Sequence, residues 1–387
     1  MATGIFGGPC VEKHTVYIFD RGGMTRLAQI VDVSSVRWGR DRDAVSEATV
    51  IVRGSACSAQ AETLAAIEPK RHEMVIYRGA DRVWEGPVWR VAWHADSVEI
   101  NAHDVLQYVF GTPLSKTYDN RYRAVYNEEG EVVEVLSEPT EVTTRIEEIL
   151  EYELQRWEIL DPPANILPYL EIHHFPNEAK TTAYTIPYEM TVGEHMANLA
   201  HYGGIDYAAV GRSIHVWDVN RHLGRTRMIT EADFLGSEVI LTAYGSEHTQ
   251  YSYVIGNSGL FGSAVNPNNL DYYGPWTIIN TAYSEEGDTE EPTQAELDSQ
   301  AQRGLAARSP VPVEVRVPDN SSIRLNETLT INDLVPGVQI PVLATLNARQ
   351  MSQLQKLDLL TVTEDETGEN VQVTLVPSTR DDDEGED

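Results

Sequence analysis

The stretch Arg71-His72-Glu73-Met74-Val75-Ile76-Tyr77-Arg78-Gly79 runs through a turn into Val83-Trp84-Glu85-Gly86-Pro87-Val88. Alternating residues on both sides of a Gly-Ala-Asp-Arg turn are typical of two antiparallel strands. The Trp-Glu-Gly-Pro segment marks the exit from the second strand. We therefore predict a β-hairpin here, with Trp84 packed inside the N-terminal domain or its subunit interface.

Residues 1–110 contain further short alternating segments, separated by turns with Gly or Asp. They are His14-Asp20, Arg26-Val31, Ser34-Trp38, Ala48-Arg53, Glu73-Tyr77, Arg82-Trp84, Pro87-Trp93 and Val98-Ala102. Strands at this spacing predict an antiparallel barrel or sandwich. Because side chains alternate with a period of two, Trp89, Val91 and Trp93 are expected to share one buried face. Val98 and Ile100 are expected to do the same on the next strand.

Residues 111–225 change to a pattern of helices followed by a hairpin. Thr144-Arg145-Ile146-Glu147 is a capping-box pattern, and the apolar residues after it predict a helix over 144–157. Thr191-Val192-Gly193-Glu194 repeats that pattern before a second helix that ends at Gly203-Gly204. The segments Ile205-Val210 and Ser213-Trp217 then predict a hairpin, so this block is expected to be a small α/β domain.

Residues 226–379 are predicted to be β-rich with one helix. Thr293-Gln294-Ala295-Glu296 caps that helix, whose apolar positions are Leu297, Ala301 and Leu305. Strands are expected at Val313-Val317, Thr328-Ile331, Gln339-Leu343, Leu354-Thr363 and Asn370-Val376. Residues 380–387 carry no apolar side chain, and we expect an acidic, disordered tail there.

The amino-acid sequences of several segments resemble those of a known protein family. Ser35-Val36-Arg37-Trp38, Ala48-Thr49-Val50-Ile51-Val52, the hairpin above and the Pro336-Gly337 turn together resemble the hub-type minor tail proteins of long-tailed phages of actinobacteria. The resemblance covers both ends and most of the chain. It implies a mainly β, multidomain fold with some α, in which barrel-like hub domains accompany the small α/β domain.

The same resemblance implies a structural protein of the virion, located at the tail tip and assembled in the host cytoplasm. A homotrimer would form a ring around the DNA channel and connect the tail tube to distal tip proteins. Its expected partners are the distal tail or tail-tube protein, the tape-measure protein and other tail-tip proteins. The genome would pass through without specific binding. A peripheral receptor-binding tail protein that contacts host glycan is the alternative.

The net charge of −31, from 60 acidic and 29 basic residues, argues against stable binding to DNA or anionic membrane. The acidic residues concentrate at 128–153, 285–298 and 364–387. Solubility explains such an imbalance, and an acidic channel wall that lets DNA slide is the functional explanation. No apolar run reaches the roughly 20 residues that span a bilayer, and residues 1–10 do not resemble a signal peptide, so we expect no membrane anchor.

Two cysteines, Cys10 and Cys57, are too few for a disulfide framework. Two buried thiols are the simplest interpretation, and a disulfide formed outside the cell is the alternative.

No catalytic motif stands above chance, and we expect no enzymatic activity, cofactor or metal. The glutamate pairs 147/148 and 151/153 are expected to line an exposed helix face. His173 and His174 are adjacent on a predicted strand and point to opposite faces, whereas His195 and His201 lie too far apart on one helix to share an ion. No catalytic, cofactor-binding or metal residue is therefore assigned.

Two further segments are candidates for contacts. Arg71-His72-Glu73 is expected to be a hairpin edge or a subunit contact. Residues 266–276, Asn-Pro-Asn-Asn-Leu-Asp-Tyr-Tyr-Gly-Pro-Trp, combine turn formers with aromatics that could pack in a loop, fill an inter-subunit contact or stack on a sugar.

Overall fold

A computed structural model gives the fold. It describes residues 13–54, 60–127, 129–160, 169–201, 204–219, 221–236, 239–243, 248–256, 259–267, 273–281, 294–306, 313–347 and 349–377. Cys10, Cys57, residues 268–272 of the aromatic segment and the acidic tail lie outside the described residues. The expectations for them stay predictions.

The strands are mostly short, and two of them are longer than ten residues. In chain order they are β1 His14–Phe19, β2 Arg26–Ile30, β3 Val33–Asp41, β4 Glu47–Arg53, β5 Glu73–Arg78, β6 Asp81–Trp93, β7 Ser97–His103, β8 Arg123–Tyr126, β9 Val132–Ser137, β10 Thr140–Glu141, β11 Glu171–Phe175, β12 Lys180–Thr181, β13 Ile205–Val210, β14 Ser213–Asp218, β15 Ile229–Thr230, β16 Phe234–Leu235, β17 Ile240–Ala243, β18 Tyr251–Ile255, β19 Phe261–Val265, β20 Thr277–Thr281, β21 Val313–Arg316, β22 Ser321–Ile323, β23 Gln339–Leu346, β24 Arg349–Asp365 and β25 Gly368–Pro377. The prediction of a mainly β chain is confirmed.

The helices are α1 Ala61–Ala65, α2 Leu106–Phe110, α3 Val142–Gln155, α4 Val192–His201 and α5 Gln294–Ala306. Single turns of 3-10 helix lie at Arg156–Ile159 and Glu231–Asp233. Among the described residues, no helix combines the length and the apolarity that crossing a bilayer requires.

The chain divides into two compact units. The first comprises the described residues of Met1–Glu238, Val317–Val342 and Leu354–Asp387, and the second those of Val239–Arg316 and Leu343–Gln353. The division into blocks at about residues 110, 225 and 379 stays a prediction from the sequence.

A long sheet forms the body of the first unit. Its main path runs in the order β16-β22-β25-β24-β3-β4-β7-β6-β5-β1-β2. The central pairing joins β24 to β3, with Val362 opposite Trp38, so strands from both ends of the chain share one ladder. Because hydrophobic periodicity is local, it predicts the strands but not this pairing.

The hairpin that opens the sequence is present as β5 and β6, and its second arm is one strand rather than two. β6 pairs with β5 from Asp81 to Pro87 and with β7 from Val88 to Trp93. The change of partner occurs at Gly86-Pro87, where a Cβ on Gly86 would come within 1.9 Å of the backbone oxygen of His103. Only glycine permits this approach. The separate strands predicted at Arg82-Trp84 and Pro87-Trp93 are therefore continuous.

The predicted burial of the tryptophans is confirmed for Trp84 and wrong for Trp89. Trp84 is 2% exposed and its indole Nε1 donates to Ser46 Oγ at 3.2 Å. A β-bulge between Val88 and Arg90 turns Trp89 outward, where its ring stacks on His103 and remains 39% exposed. The bulge breaks the period of two, so Trp89 does not share a face with Trp93. The predicted burial of Trp93 is also wrong, because this residue ends the strand and is 54% exposed.

Helix α3 begins two residues before its predicted start. The Glu141 carboxylate accepts hydrogen bonds from the backbone N of Thr143 and of Thr144, at 3.1 and 2.6 Å, and takes the capping role predicted for Thr144. Four members of the predicted apolar stripe are buried on this helix: Ile146, Ile149, Leu150 and Leu154. Trp157, the last residue of the predicted stripe, lies in the 3-10 turn after the helix and is half-buried.

Helix α4 confirms its predicted capping box. Thr191 N donates to Glu194 Oε2 at 2.7 Å, and Glu194 N donates to Thr191 Oγ1 at 3.1 Å. The hairpin predicted after it is also present, with β13 and β14 as its arms. Parallel pairing of β11 with β14 completes a three-stranded sheet, and α3, α4 and this sheet share one apolar core.

The second unit contains a small sheet covered by a helix. Its order is β19-β18-β20, and α5 packs on one face through the buried Leu297 and Ala301. The predicted apolar positions are thereby confirmed for Leu297 and Ala301, whereas Leu305 near the end of the helix is half-buried.

One predicted strand of the first unit is wrong. Residues 328–331 form turns instead, because the Asn326 side chain accepts from the backbone N of Thr328 and of Leu329 at 2.9 and 3.1 Å. An asparagine that bonds the backbone just after it favours a turn over a ladder.

The two tryptophans of β6 give a matched test of burial. We expect Trp84→Ala to lower the free energy of unfolding by about 3 to 5 kcal/mol, because it empties a filled core site and leaves Ser46 Oγ without its donor. Trp89→Ala should cost about 1 kcal/mol or less, since its ring lies largely in solvent. Urea unfolding followed by far-UV circular dichroism measures both. Equal losses of unfolding free energy for the two variants would contradict the outward position of Trp89 at the bulge.

Candidate assembly site

Two glutamates of the opening hairpin lie fully inside the first unit. Glu73 on β5 and Glu85 on β6 have side chains with no exposed area. Arg212 lies between them, with Nη1 at 3.1 Å from Glu73 Oε2 and 3.5 Å from Glu85 Oε2. Arg82 also pairs with Glu85, and Tyr108 Oη donates to Glu73 Oε1 at 2.5 Å. The hairpin therefore carries a buried ion cluster.

The cluster connects distant parts of the chain. Arg212 lies in the turn between β13 and β14, so its guanidinium fastens the α/β segment to the hairpin. Burial, only partly offset by Arg82 and Arg212, raises the pKa of Glu85 to about 7. The two glutamates are closed to solvent and bound by arginine, so they stabilise the fold and offer a substrate no access.

This cluster corrects the prediction for Arg71-His72-Glu73. His72 and Glu73 are buried, and β5 lies between β1 and β6 rather than at an edge. The sequence carries a signal for these buried charges, because Glu73 adjoins Met74 and Glu85 adjoins Trp84, two large apolar residues that are buried. A charge at such a position predicts an ionic partner, although the sequence does not identify Arg212.

A second set of charges connects β3 to β13 and β24. Arg42 Nη1 lies 2.9 Å from Asp206 Oδ1, and its Nη2 lies 2.7 Å from Asp358 Oδ1. Lys356 also pairs with Asp206. Burial and the adjacent Asp206 carboxylate raise the pKa of Asp43 to about 7, although the Tyr207 backbone N donates to it at 2.8 Å. This junction therefore holds more acid than its cations fully neutralise.

The prediction that both glutamate pairs of α3 line an exposed helix face is wrong for Glu153. Glu153 is fully buried: it accepts from Ser115 N at 2.8 Å and from Tyr118 Oη at 3.2 Å, and Arg156 Nε lies 2.8 Å away. Helical periodicity places position 153 beside Leu150 and Leu154, on the apolar side. Glu148 and Glu151 are exposed, so the prediction holds for them alone.

The histidines singled out in the sequence lie in different surroundings. His173 stacks on His215, with 5.1 Å between ring centroids, whereas His174 Nδ1 lies 2.9 Å from Glu147 Oε1. His195 is buried, and this burial lowers its pKa to about 4. Within the ranges that the structure describes, no group of three or more His, Cys, Asp or Glu could hold a metal ion.

Exposed apolar surface is the feature that most directly suggests assembly. Among the described strands, β8 and β9 pair with each other and with no other strand, and they form a separate hairpin, which with Tyr122 we name the β8–β9 arm. Seven large apolar side chains of the arm are between 41% and 60% exposed: Tyr122, Val125, Tyr126, Val132, Val133, Val135 and Leu136. Val132 and Val133 are adjacent on one strand, so both faces of the arm are apolar.

The second unit also exposes an apolar face. On the side of its sheet away from α5, strands β18, β19 and β20 present an uncharged surface. Its exposed apolar members are Ile255, Phe261, Val265 and Ile279. Patches of this kind in a single chain mark protein–protein contact sites.

Comparison with known proteins gives a result only at the level of structure. No protein-family model matches the chain, and no curated protein matches it by sequence. A crystal structure of the 43 kDa tail protein of prophage MuSo2 from Shewanella oneidensis aligns with 95% of this chain and 97% of its own, with a TM-score of 0.54 and 11% identity. This chain has the fold of phage tail proteins.

Two further structures agree. The tail protein of Neisseria meningitidis MC58 aligns over 94% of this chain and 96% of its own, with a TM-score of 0.50 and 9% identity. Prophage tail protein gp18 of Listeria monocytogenes EGD-e aligns over 93% and 94%, with a TM-score of 0.50 and 8% identity. The expected phage-tail fold is thereby confirmed, and the narrower resemblance to actinobacterial hub proteins stays a prediction.

Removing the central cation of the buried cluster tests its role. We expect Arg212→Met to lower the free energy of unfolding by about 3 to 5 kcal/mol, because Glu73 and Glu85 would share a buried site with less positive charge. Arg121→Met is the control, since Arg121 pairs with Asp119 at the surface and should leave unfolding nearly unchanged. Calorimetry of both variants decides. Equal melting temperatures for Arg212→Met and wild type would show that Arg212 does not stabilise the buried ion cluster.

The raised pKa of Asp43 gives a test by pH. The folded state holds the proton of Asp43 up to about pH 7, whereas the unfolded chain releases it near 3.8. This group therefore makes the protein less stable as pH rises from about 4 to 7. Asp43→Asn should remove that loss and be about 1 to 3 kcal/mol more stable at pH 8 than wild type.

Urea unfolding across this pH range measures the effect. Asparagine tolerates the positive φ of 59° at position 43, so the backbone should be retained. A variant that follows the wild-type pH profile would show that Asp43 ionises normally.

Proposed function

We propose that this protein is the structural hub of a phage tail tip, forming a ring around the DNA channel. The observation that carries the proposal is the alignment of nearly the whole chain with an entire phage tail protein, 95% and 97% of the two lengths. The match extends over nearly the whole of both chains and is not confined to one domain. The hub position and the ring are inferred from the sequence resemblance together with this fold.

A homotrimer is the proposed form of the ring. Apolar surfaces on the β8–β9 arm and on the uncharged sheet face are too extensive to remain in water, which supports a permanent assembly. Cyclic symmetry lets identical chains cover such surfaces while closing on themselves. The edge strands of an antiparallel sheet are also covered when neighbouring chains adjoin.

The proposed partners are the distal tail or tail-tube protein above the ring, the tape-measure protein and other tip proteins. The proposed location is the virion tail tip. We also propose that the protein is not an enzyme. The two glutamates of the hairpin, Glu73 and Glu85, are closed to solvent and paired with arginine, which supports a purely structural function.

The acidic composition is proposed to serve DNA passage. A net charge of −31 on each chain would give a trimer a strongly negative potential, and phosphates would find few cations to bind along the channel wall. DNA could then slide through the ring without adhering to it.

The ring is tested by the mass of the purified protein. Light scattering after gel filtration should give about three times the chain mass of 43.2 kDa. Electron cryomicroscopy of that species should show an open annulus. A monomer at the highest soluble concentration would contradict the ring, and an off-axis position in the intact tail would favour the receptor-binding alternative.

The charge proposal has its own measurement. Purified trimer should not bind duplex DNA detectably, even at roughly 50 mM salt, where any cationic site would bind most tightly. In the assembled ring, carboxylates should outnumber basic side chains on the channel wall, and neutralising them should slow genome ejection without preventing assembly. A net basic wall would reduce the charge to a solubility feature.

A further inference from the structure

Among the described strands, β2 is the last of the long sheet and pairs with β1 alone. Within the described part of the chain, the sheet is therefore open at this edge. The side chain of Gln60 bonds both the N–H and the carbonyl of Val31, at 3.1 and 2.6 Å, so the open edge ends at Ile30. An edge with backbone groups free to bond is a template for a strand from another chain.

The surroundings of this edge are apolar and basic. Met24 and Leu27 are exposed large apolar residues, and Arg21 and Arg26 are exposed cations. The Arg26 guanidinium lies 5.2 Å from the ring centroid of Tyr17, which holds it beside the strand. We name Arg21, Met24 and strand β2 the β2 edge. A strand that docks there should be apolar and acidic.

The β8–β9 arm has that composition. A two-stranded hairpin is marginally stable alone in water, and the arm is apolar on both faces, so it requires a partner. Arg121 and Arg123 at its base both pair with Asp119, at 2.9 and 3.2 Å. The other charged side chains in the described part of this hairpin are the exposed Glu129, Glu131 and Glu134.

We propose that β9 of one copy adds to the β2 edge of the next copy and extends its sheet. The inference rests on the proposed ring and names one of its contacts. β9 is favoured over β8 because β9 carries Glu134 and follows Glu131, whereas β8 carries Arg123, which would face Arg26. The lengths agree, since β9 has six residues and β2 has five.

Charge and symmetry both favour a second copy as the occupant. Seven apolar side chains of the arm are between 41% and 60% exposed, a surface of the kind that marks a contact with another protein chain. Donor and acceptor surfaces differ, so each copy gives one arm and receives one, and three such contacts close a ring. Arginines at the β2 edge supply the complementary charge that the otherwise acidic chain rarely offers.

Charge exchange tests this contact in the full chain. One variant reverses the arm, Glu131→Arg with Glu134→Arg; a second reverses the edge, Arg21→Glu with Arg26→Glu; a third carries all four changes. We expect the first two to raise the trimer dissociation constant at least tenfold at low salt and the third to recover most of the loss. Arg37→Glu, an exposed change on β3 whose two neighbours are β24 and β4, is the control and should remain trimeric.

Sedimentation equilibrium measures the association, and circular dichroism checks the fold. Trimers in both reversed variants would overturn the pairing while leaving the ring intact. A monomeric wild type would overturn both. Loss of the trimer in the reversed variants without recovery in the third would contradict direct pairing of these charges.

Amide hydrogen exchange on the wild-type protein tests the contact between β9 and the β2 edge even if a variant does not fold. The outward amides of β2, which alternate along the strand with those that face β1, should exchange slowly in the trimer and rapidly after dilution to monomer, because only a docked strand protects them. Rapid exchange in the trimer would overturn the proposal.

Discussion

The exclusion of water from two glutamates of one hairpin is the constraint on which the first unit depends. Glu73 and Glu85 could not remain buried as carboxylates without a cation, and Arg212 supplies it from a turn far along the chain. The ladder between β5 and β6 brings the glutamates together, and the guanidinium fixes the α/β segment against them. Burial of the charges thus converts a local hairpin into a long-range fastening.

The hairpin also directs the sheet. At Gly86-Pro87 strand β6 leaves β5 and joins β7, and the close approach of Gly86 to His103 allows the change. The bulge just after it turns Trp89 into solvent. A short segment of glycine, proline and a bulge therefore determines which side chains of the longest N-terminal strand form core and which form surface.

Much of the fold follows from periodicity alone. The strands before residue 110, the apolar stripes of α3 and α5 and the capping box of α4 were predictable because each depends on neighbours within a few residues. Sequence patterns do not predict burial or strand pairing where these depend on a distant contact or on a backbone irregularity. Trp89 was expected in the core because a bulge has no clear sequence pattern. Glu153 was expected in solvent because its partners Ser115 and Tyr118 lie on another segment. The pairing of β24 with β3 was not predicted because these strands lie far apart in the sequence.

The fold presents several surfaces that one chain cannot cover by itself. An apolar arm, an open basic edge and an uncharged sheet face occur in a chain that has the fold of phage tail proteins. Electron cryomicroscopy of the intact tail tip tests the central claim most directly. We expect three copies around the DNA axis, with these surfaces in contacts between protein chains. Single copies attached to the outside of the tail, with the arm in solvent, would contradict it.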